Sequence, residues 1–472
     1  MSTSPHDPSE KPSSPTGSPT TSGKPSPAGS PTPAGRPSPT DNPAPAGKPS
    51  PTDKPASAGS PGPGGRPVAS SGDRAREHHG IVIVGGGTAG ITVAARLRRA
   101  GAPDVAVLEP SGTHWYQPLW TLVGGGQAPL RASLRTEAEV MPAGVHWLRE
   151  AAVSVDPAGR TVGTASGRTV SYDRLVLAPG LRLDPDGVPG LAQALGHNGV
   201  TSNYLPELAP LTWELIRGMK SGTALFTMPA GPVKCGGAPQ KIAYLAADHW
   251  RKRGVLDRIR VVLVLPETAM FKVPEFGRVL EDVALRYGIE VRLRSEMVSV
   301  DGANREAVIV NHATGDKETL SYDLLHAVPP QAAPEWIAGG PLADPDSPFG
   351  YVKADPATLQ HPDHPEIFAL GDVANLPTSK TGAAVRKQAP VLVANLRDSL
   401  RGRPPRARYD GYTSCPLVTA RHKMLLAEFD YELKPAPSVP FVDTAKERTD
   451  MWFLKRYGLP QFYWHGMLKG LA

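Results

Sequence analysis

The chain contains 472 residues, of which 53 are proline and 49 are glycine. Nineteen prolines lie in the first 67 residues, which have no Leu, Ile, Val or aromatic residue and cannot bury a core that would offset the entropy of ordering. The net charge of +6 is spread along the chain, which excludes a nucleic-acid-binding surface. No apolar run approaches the roughly 18 residues of a membrane span, and we expect no secretory signal. With two cysteines, neither a disulfide scaffold nor a cysteine-ligated zinc site is expected, and no metal site is predicted.

The N-terminal segment is periodic. Four copies of a twelve-residue, proline-rich unit occupy residues 14–25, 26–37, 38–49 and 50–61. Such copies favour an extended, hydrated chain, so residues 1–76 are predicted to be a disordered tail. Two interpretations stay open: a spacer produced by repeat duplication, or a ligand for a proline-recognising groove.

A dinucleotide-binding motif follows the tail. The run Ile81–Val84 predicts a strand, residues 85–90 form a Gly-x-Gly-x-x-Gly turn, and Ile91–Ala100 predicts a helix. The glycines permit a tight turn and let the backbone approach a pyrophosphate at the positive amino terminus of the helix. A second predicted strand, Val105–Leu108, ends at Glu109, whose carboxylate can accept hydrogen bonds from a ribose diol. The cofactor-binding candidates of this motif are Gly85, Gly87, Gly90 and Glu109.

Two later strand-and-glycine segments indicate which dinucleotide binds. Residues 175–180 read as a strand that ends at Gly180, and residues 367–372 as a strand that ends at Gly371 and Asp372. The second segment resembles the second FAD motif of flavoproteins with two dinucleotide-binding domains, in which the aspartate bonds the ribityl chain. A helix predicted from Gly382 to about Leu400 would direct its dipole at the flavin. The predicted fold is therefore α/β, with two Rossmann-like domains arranged as in glutathione reductase.

The middle of the chain predicts a second Rossmann-like unit without a second nucleotide. The predicted strand Thr223–Met228 is followed by a turn with prolines, a lysine and a cysteine, where NAD(P)H-binding relatives place glycines. The predicted helix Ile242–Arg251 and strand Arg260–Leu265 preserve the βαβ pattern. We therefore expect electrons to enter from a donor other than NAD(P)H.

The two cysteines occupy different contexts. Cys235 lies just before a predicted helix, next to Lys234 and six residues before Lys241. A helix amino terminus and neighbouring lysines both lower the pKa of a thiol. Cys415 lies 180 residues later, in a segment that reads as a loop with turn residues. Small buried hydrophobic residues are the alternative interpretation of both.

Three motifs make a family resemblance specific. Residues 114–124, 232–241 and 412–418 look like those of sulfide:quinone oxidoreductases, most of all the branch that includes the mitochondrial enzymes, and the similarity covers about residues 78–472. Two departures are the paired glycines at 236 and 237 and the repetitive tail. The resemblance assigns Cys235 and Cys415 to the redox cysteines. It assigns to FAD binding the set Gly85, Gly87, Thr88, Gly90, Glu109, Gln117, Ala152, Gly180, Asp372 and Lys380.

The resemblance also implies a reaction. Hydrogen sulfide attacks a disulfide or trisulfide that joins the cysteines, leaving a persulfide assigned to Cys415, while Cys235 faces the flavin. The sulfur then leaves to a low-molecular-weight thiol, sulfite or sulfide, and FAD passes two electrons to ubiquinone or menaquinone. Alternatives are a type II NADH:quinone oxidoreductase, a flavocytochrome-type sulfide dehydrogenase and, from another class, a non-catalytic interaction module.

The C-terminal segment predicts contact with a membrane. Residues 451–472 are rich in Trp, Tyr and Phe interspersed with Lys and Arg, as in interfacial helices, and Gly458 and Pro460 predict a break between two short helices. A helix packed on the protein core is the alternative. The expected location is the cytoplasmic face of a bacterial inner membrane. The predicted parts are a tail (1–76), an FAD-binding domain in two pieces (77–200 and 335–400), a second Rossmann-like domain (201–334) and a C-terminal redox-cysteine and membrane region (401–472).

Overall fold

Short runs rich in Val, Ile and Leu form the central strands, as their composition favours. The computed structural model describes residues 77–439 and 441–472, so the repeats and the predicted disorder of residues 1–76 lie outside the described residues. The strands, in chain order, are β1 (Glu77–Val84), β2 (Val105–Leu108), β3 (Thr113–Trp115), β4 (Leu134–Thr136), β5 (His146–Leu148), β6 (Ala152–Asp156), β7 (Thr161–Thr164), β8 (Thr169–Leu177), β9 (Arg182–Leu183), β10 (Val200–Thr201), β11 (Gly222–Thr227), β12 (Ile259–Val264), β13 (Glu290–Arg292), β14 (Ser295–Asp301), β15 (Glu306–Asn311), β16 (Lys317–Ser321), β17 (Leu324–Ala327), β18 (Gln331–Ala332), β19 (Ile367–Ala369), β20 (Thr413–Ala420) and β21 (Lys423–Phe429).

Helices follow many of these strands. They are α1 (Thr88–Arg99), α2 (Trp120–Gly124), α3 (Glu137–Val140), α4 (Leu191–Ala194), α5 (Ala209–Gly218), α6 (Ala238–Lys252), α7 (Pro274–Arg286), α8 (Glu335–Ala338), α9 (Gly382–Leu400), α10 (Thr449–Phe453) and α11 (Leu459–His465).

Two parallel sheets organise the molecule. In the first, β5, β2, β1, β8 and β19 are parallel neighbours, and β7 and β6 extend the sheet antiparallel from β8. In the second, the order is β10-β17-β11-β12-β13, all parallel. Parallel strands joined by helices bury both faces, and the strand cores are almost fully buried. The carboxyl ends of β1, β11 and β19 each lead into one of the loops that carry the candidate site residues.

The C-terminal segment is one helical run rather than two separated helices. Between α10 and α11, residues Leu454–Gly458 form a π-helical turn, in which the Leu459 N–H bonds the Leu454 carbonyl. The wider turn absorbs Gly458, and Pro460 follows at the junction where the hydrogen bonds change from the π to the α pattern, so its missing N–H does not interrupt the run. The predicted break at these residues is therefore wrong. Among the described residues, no helix combines the length and apolarity that a membrane crossing requires.

Candidate redox and dinucleotide site

The loop after β1 has the backbone shape that its glycines predict. Gly85 has φ of 101°, and a Cβ there would lie 2.4 Å from the Ala178 carbonyl oxygen. A Cβ at Gly90 would lie 1.8 Å from the Gly85 carbonyl oxygen. A Cβ at Gly87, by contrast, would have no atom within 4 Å. The loop is thus closed against the sheet and open at the amino terminus of α1, where a pyrophosphate would bind.

Two carboxylates lie beside this loop. Glu109 accepts hydrogen bonds from the Gly86 N–H at 2.7 Å and the Ser111 N–H at 2.8 Å. Burial raises its pKa, although these donors oppose the shift. Glu137 is 1% exposed, and its Oε1 has no hydrogen-bond partner in the described part of the chain. A buried acceptor without a partner costs free energy unless a ligand supplies a donor, so the loop fits the ribose end of a dinucleotide.

A second loop lies between β19 and α9. Asp372 occupies a short turn there, and the buried Lys380 donates to the Asp372 and Ala374 carbonyls at 2.5 and 3.2 Å. Burial lowers the pKa of Lys380 to about 8 and raises that of Asp372. Thr381 caps α9 by accepting from the Ala384 N–H at 3.0 Å. A narrow crevice lies along this loop and the start of α9, between Gly371 and Gln388.

The remaining predicted cofactor residues are distributed around these loops. Thr88 begins α1 and its hydroxyl lies 2.8 Å from the Tyr463 hydroxyl. Gln117 accepts from the Lys234 ammonium at 2.9 Å. Gly180 follows β8 with φ of 74°, and Ala152 begins β6. Their contacts with FAD stay predictions.

The structure brings the two cysteines together. The Sγ atoms of Cys235 and Cys415 are 3.4 Å apart. Cys235 lies in the turn between β11 and α6, with φ of 54°, and its N–H donates to the Lys380 carbonyl at 2.9 Å. That bond joins the cysteine turn to the loop of Asp372. The pair therefore lies next to the second FAD motif.

The neighbouring residues predicted a loop at Cys415, and this prediction is wrong. It is 3% exposed and lies in β20, which pairs with β21 as a two-stranded sheet. Pro416 is tolerated because β20 has β21 as its only strand partner among the described residues, so a missing N–H need not break a second ladder. The sequence did not predict this strand because the segment is rich in residue types that favour turns.

Two buried ammonium groups surround the sulfur pair. Lys241 Nζ lies 3.0 Å from Cys235 Sγ, as the spacing predicted. Lys455, in the π-helical turn, is 3% exposed and donates to the Pro118 carbonyl at 3.1 Å. Hydrogen bonding from Cys415 and the charges of both lysines lower the pKa of Cys235, whereas sharing its hydrogen with Cys235 and burial raise the pKa of Cys415. The thiolate form is thus favoured at Cys235 and the thiol form at Cys415.

Of the lysines that the sequence predicted to lower the pKa of Cys235, one does not, and one lysine that does was not predicted. Lys234 points to Gln117 and does not contribute to the lowered pKa of Cys235. Lys455 lies 220 residues beyond Cys235 and was grouped with the interfacial basic residues. A lysine among aromatic residues carried no local signal that it would be buried.

Comparisons with known proteins agree with this geometry. The family model described as "Pyridine nucleotide-disulphide oxidoreductase" matches residues 79–393. The mitochondrial sulfide:quinone oxidoreductase of Dictyostelium discoideum is 44% identical over 83% of this chain and 86% of its own length. The mitochondrial enzyme of Mus musculus is 38% identical over 84% of this chain and 88% of its own length. The crystal structure of the Aquifex aeolicus enzyme has a TM-score of 0.71 at 21% identity, covers 84% of this chain and 92% of that one, and so shows the same fold.

These relatives correct one expectation. The Dictyostelium and mouse proteins are both mitochondrial, which points to mitochondria rather than to a bacterial inner membrane, so the expected location is wrong. The glycine loop, the second motif and the paired cysteines, together with relatives of this identity and coverage, show that the chain belongs to the sulfide:quinone oxidoreductase family of FAD-dependent flavoproteins.

Proposed function

We propose that the chain oxidises hydrogen sulfide at Cys235 and Cys415 and delivers two electrons through FAD to a quinone. The observation that carries this proposal is the pair of sulfur atoms 3.4 Å apart, with Lys241 at 3.0 Å. A hydrogen bond from the Cys235 N–H to the Lys380 carbonyl connects the pair to the second FAD motif. Thiolate, thiol and electron acceptor would thus share one site.

The cofactor would be held by the two loops described above. Gly85, Gly87 and Gly90 would leave room for the pyrophosphate, and Glu109 and Glu137 would receive ribose hydroxyls. Asp372 and the amino terminus of α9 would bind the flavin end. Bound FAD supplies an acceptor for two electrons beside Cys235 and releases them to the quinone.

The sulfur chemistry is an exchange reaction. Hydrosulfide attacks the Cys415 sulfur, a new S–S bond forms there, and the bond from Cys415 toward Cys235 breaks. The electron pair of that bond leaves with the Cys235 side, which Lys241 stabilises as an anion. A thiol, sulfite or a second sulfide then takes the outer sulfur from Cys415. Restoration of the bridge releases the two electrons.

The bridge that joins the cysteines in the resting enzyme is a disulfide or a trisulfide, and a separation of 3.4 Å between the two free sulfurs is compatible with either. A trisulfide holds one sulfane sulfur, whereas a disulfide holds none. Cyanide treatment of the purified protein therefore distinguishes them: release of one equivalent of sulfane sulfur indicates the trisulfide, and no release indicates the disulfide.

The NADH alternative is disfavoured by the second sheet. The turn between β11 and α6, where a pyrophosphate would need glycines, carries Cys235 instead, and Cys415 of β20 packs against it. A Cβ at Gly237 would lie 2.9 Å from Cys415 Sγ, so this glycine serves the approach of the sulfur. The same turn cannot serve both purposes without displacing Cys415.

The decisive experiment measures sulfide-dependent reduction of a soluble ubiquinone analogue by the FAD-loaded protein. Cys235→Ser and Cys415→Ser should each abolish turnover, and replacing sulfide with NADH should give none. Equal activity of the wild type and both variants would falsify the mechanism. Turnover driven by NADH would favour the type II NADH:quinone oxidoreductase instead. Adding a thiol, sulfite or excess sulfide in turn identifies the sulfur acceptor by the product formed.

We also propose that the C-terminal helical run rests on a membrane surface. One side packs in the core through Met451, Trp452, Tyr463, Trp464, Met467 and Leu468. The other side exposes Phe453, Tyr457 and Phe462, which are 50%, 54% and 41% exposed. Aromatic side chains on the outer side of a core-packed helix are typical of contact with the headgroup region. The sequence left two alternatives, a helix that contacts the membrane and a helix packed on the core. In this proposal each describes one side of the same helical run.

Point substitutions test this contact better than truncation, because truncation would remove core residues. The triple variant Phe453→Ser, Tyr457→Ser and Phe462→Ser should lose co-sedimentation with phosphatidylcholine vesicles that contain anionic lipid. Leu285→Ser, at an 80% exposed position on α7, is the control and should sediment as the wild type does. Unchanged sedimentation of the triple variant would overturn the proposal.

A further inference from the structure

A cluster of histidine and carboxylate side chains lies at the amino-terminal ends of strands in the first sheet. The glycine loop follows the opposite, carboxyl-terminal end of β1. Glu77 and His79 lie at the start of β1, Asp104 precedes β2, and His146 begins β5. Because β5, β2 and β1 are parallel neighbours, their starting ends meet at one edge. These residues take no part in the chemistry proposed above.

The donor atoms are close enough to share an ion. His79 Nδ1 lies 2.7 Å from Asp104 Oδ1, and His146 Nε2 lies 3.8 Å from the same oxygen. One donor atom from each of the three residues lies within 4.8 Å of the others. Donors bound to zinc at about 2.0–2.1 Å in a tetrahedron lie about 3.3 Å apart. Small side-chain rotations would therefore bring all three to one ion.

Neighbouring groups already hold two of the donors in place. Glu77 Oε1 lies 3.0 Å from His79 Nε2, so a hydrogen bond there keeps a hydrogen on Nε2, and Nδ1 would coordinate the ion in place of its present hydrogen bond to Asp104. A carboxylate on the outer nitrogen of a histidine is the usual support for a metal ligand. Asp104 Oδ2 accepts from the Gly80 N–H at 2.7 Å, which orients the carboxylate. His79 is 7% exposed, so its ring is already fixed by packing.

We propose that His79, Asp104 and His146 bind one divalent transition-metal ion, with Glu77 positioning His79. Two imidazoles and one carboxylate are a donor set suited to zinc and its neighbours in the first transition row. The exposed side of His146 leaves the fourth position to water. Bound at this edge, the ion would join the starting ends of three strands.

Zinc titration of the full-length, FAD-loaded protein tests the site. Because the redox thiols also bind zinc, the Cys235→Ser/Cys415→Ser variant is used as the background. Calorimetry should give one zinc per chain, and zinc should raise the melting temperature, since an ion that binds the folded state stabilises it. His146→Ala should weaken binding by more than about 100-fold, because the loss of a supporting second-layer group alone costs 10–100-fold.

His78→Ala is the matched control. His78 neighbours His79 but points to the opposite side of β1, where its Nδ1 lies 3.0 Å from Ser171 Oγ. The side chains of His78 and His146 are 55% and 58% exposed, so the two substitutions remove equally accessible imidazoles. Equal zinc affinity in the background, His146→Ala and His78→Ala proteins would overturn the proposal, as would the absence of binding to the background protein. Glu77→Gln should weaken binding by about tenfold without changing the stoichiometry.

Discussion

Cys235 has a left-handed backbone conformation, with φ of 54°. For a residue with a Cβ this costs about 1–2 kcal/mol, so surrounding bonds must stabilise it. They are the N–H bond to the Lys380 carbonyl at 2.9 Å and the bond from the Ala238 N–H to the Cys235 carbonyl at 2.7 Å. The strain is the cost of directing one sulfur toward Cys415 and the backbone toward the FAD motif.

Lys455 carries a prediction about stability and pH. Burial, and secondarily the charge of Lys241, lower its pKa to about 7 from the ordinary 10.5. Between these values the unfolded chain binds more protons than the folded protein, so this group makes the free energy of unfolding rise from pH 7 to pH 10. Lys455→Met should increase the free energy of unfolding by about 1–4 kcal/mol at pH 7 and below, and the gain should shrink toward pH 10.

Urea denaturation of the wild type and Lys455→Met across this pH range measures the effect. Lys423→Met removes an exposed lysine and should give no pH-dependent difference. A gain for Lys455→Met that is the same at pH 6 and pH 10 would contradict a lowered pKa of Lys455.

At the scale of elements, the strands and helices of the nucleotide motifs could be predicted, because their periodicity and glycines are local signals. The predicted helix Gly382–Leu400 agrees with α9, and the predicted strand Val105–Leu108 agrees with β2. The β20 strand and the continuous C-terminal helix could not be predicted in this way. Their residue types favour turns and breaks, and the partners that override this preference come from distant parts of the chain.

The junction of α6 and β20 predicts unequal effects for two adjacent glycines. An added Cβ at Gly237 would lie 2.4 Å from Leu417 Cδ2 and 2.9 Å from Cys415 Sγ. Gly237→Ala should therefore lower the free energy of unfolding by about 1–3 kcal/mol and reduce sulfide-dependent turnover. Gly236→Ala should leave the free energy of unfolding within about 0.5 kcal/mol, because its Cβ would approach only Met228 Cε, at 3.9 Å.

Denaturation curves of the two alanine variants, read with their quinone reduction rates, make this comparison. Equal losses in both would mean that glycine flexibility in the turn matters, rather than the approach of Cys415. The extra glycine that departs from the family pattern would then have a backbone role.

At the scale of the whole molecule, the meeting of distant segments decides the site. The glycine loops and the reactive character of Cys235 could be read locally, whereas the approach of Cys415 and Lys455 depends on how β20 and the C-terminal helix pack. The five-part division of the chain stays a prediction. Its last part is not structurally separate, because Trp452 and Tyr463 belong to the same core cluster as β1 and β8.

A series of side-chain hydrogen bonds joins the C-terminal helix to the first dinucleotide loop, so the contact between them can be tested. The Tyr463 hydroxyl lies 2.8 Å from Thr88 Oγ1 and 2.6 Å from His114 Nε2, and His114 Nδ1 lies 3.2 Å from Glu137. Tyr463→Phe leaves the buried His114 and the half-buried Thr88 without this partner and should cost about 1–3 kcal/mol of unfolding free energy. It should also speed the loss of FAD on dilution.

Tyr457→Phe is the control for this substitution, since the Tyr457 side chain is 54% exposed and its hydroxyl loss should change neither quantity. Wild-type stability and FAD retention in Tyr463→Phe would show that the C-terminal helix closes on the molecule without supporting the nucleotide loop.

The π-helical turn has a consequence for where the protein can work. It buries the Lys455 side chain, whose charge acts on Cys235, while the side chains of Phe453 and Tyr457, two residues before and after Lys455, are exposed. With the proposed membrane contact, a single stretch of backbone would set both the electrical potential at the reacting sulfur and the depth at which the protein rests on lipid. An insertion or deletion of one residue there would rotate the residues that follow it by about 100° relative to those before it. Lys455 and the exposed aromatic residues could then not all keep their places, so sulfide chemistry and membrane contact would change as one inherited trait.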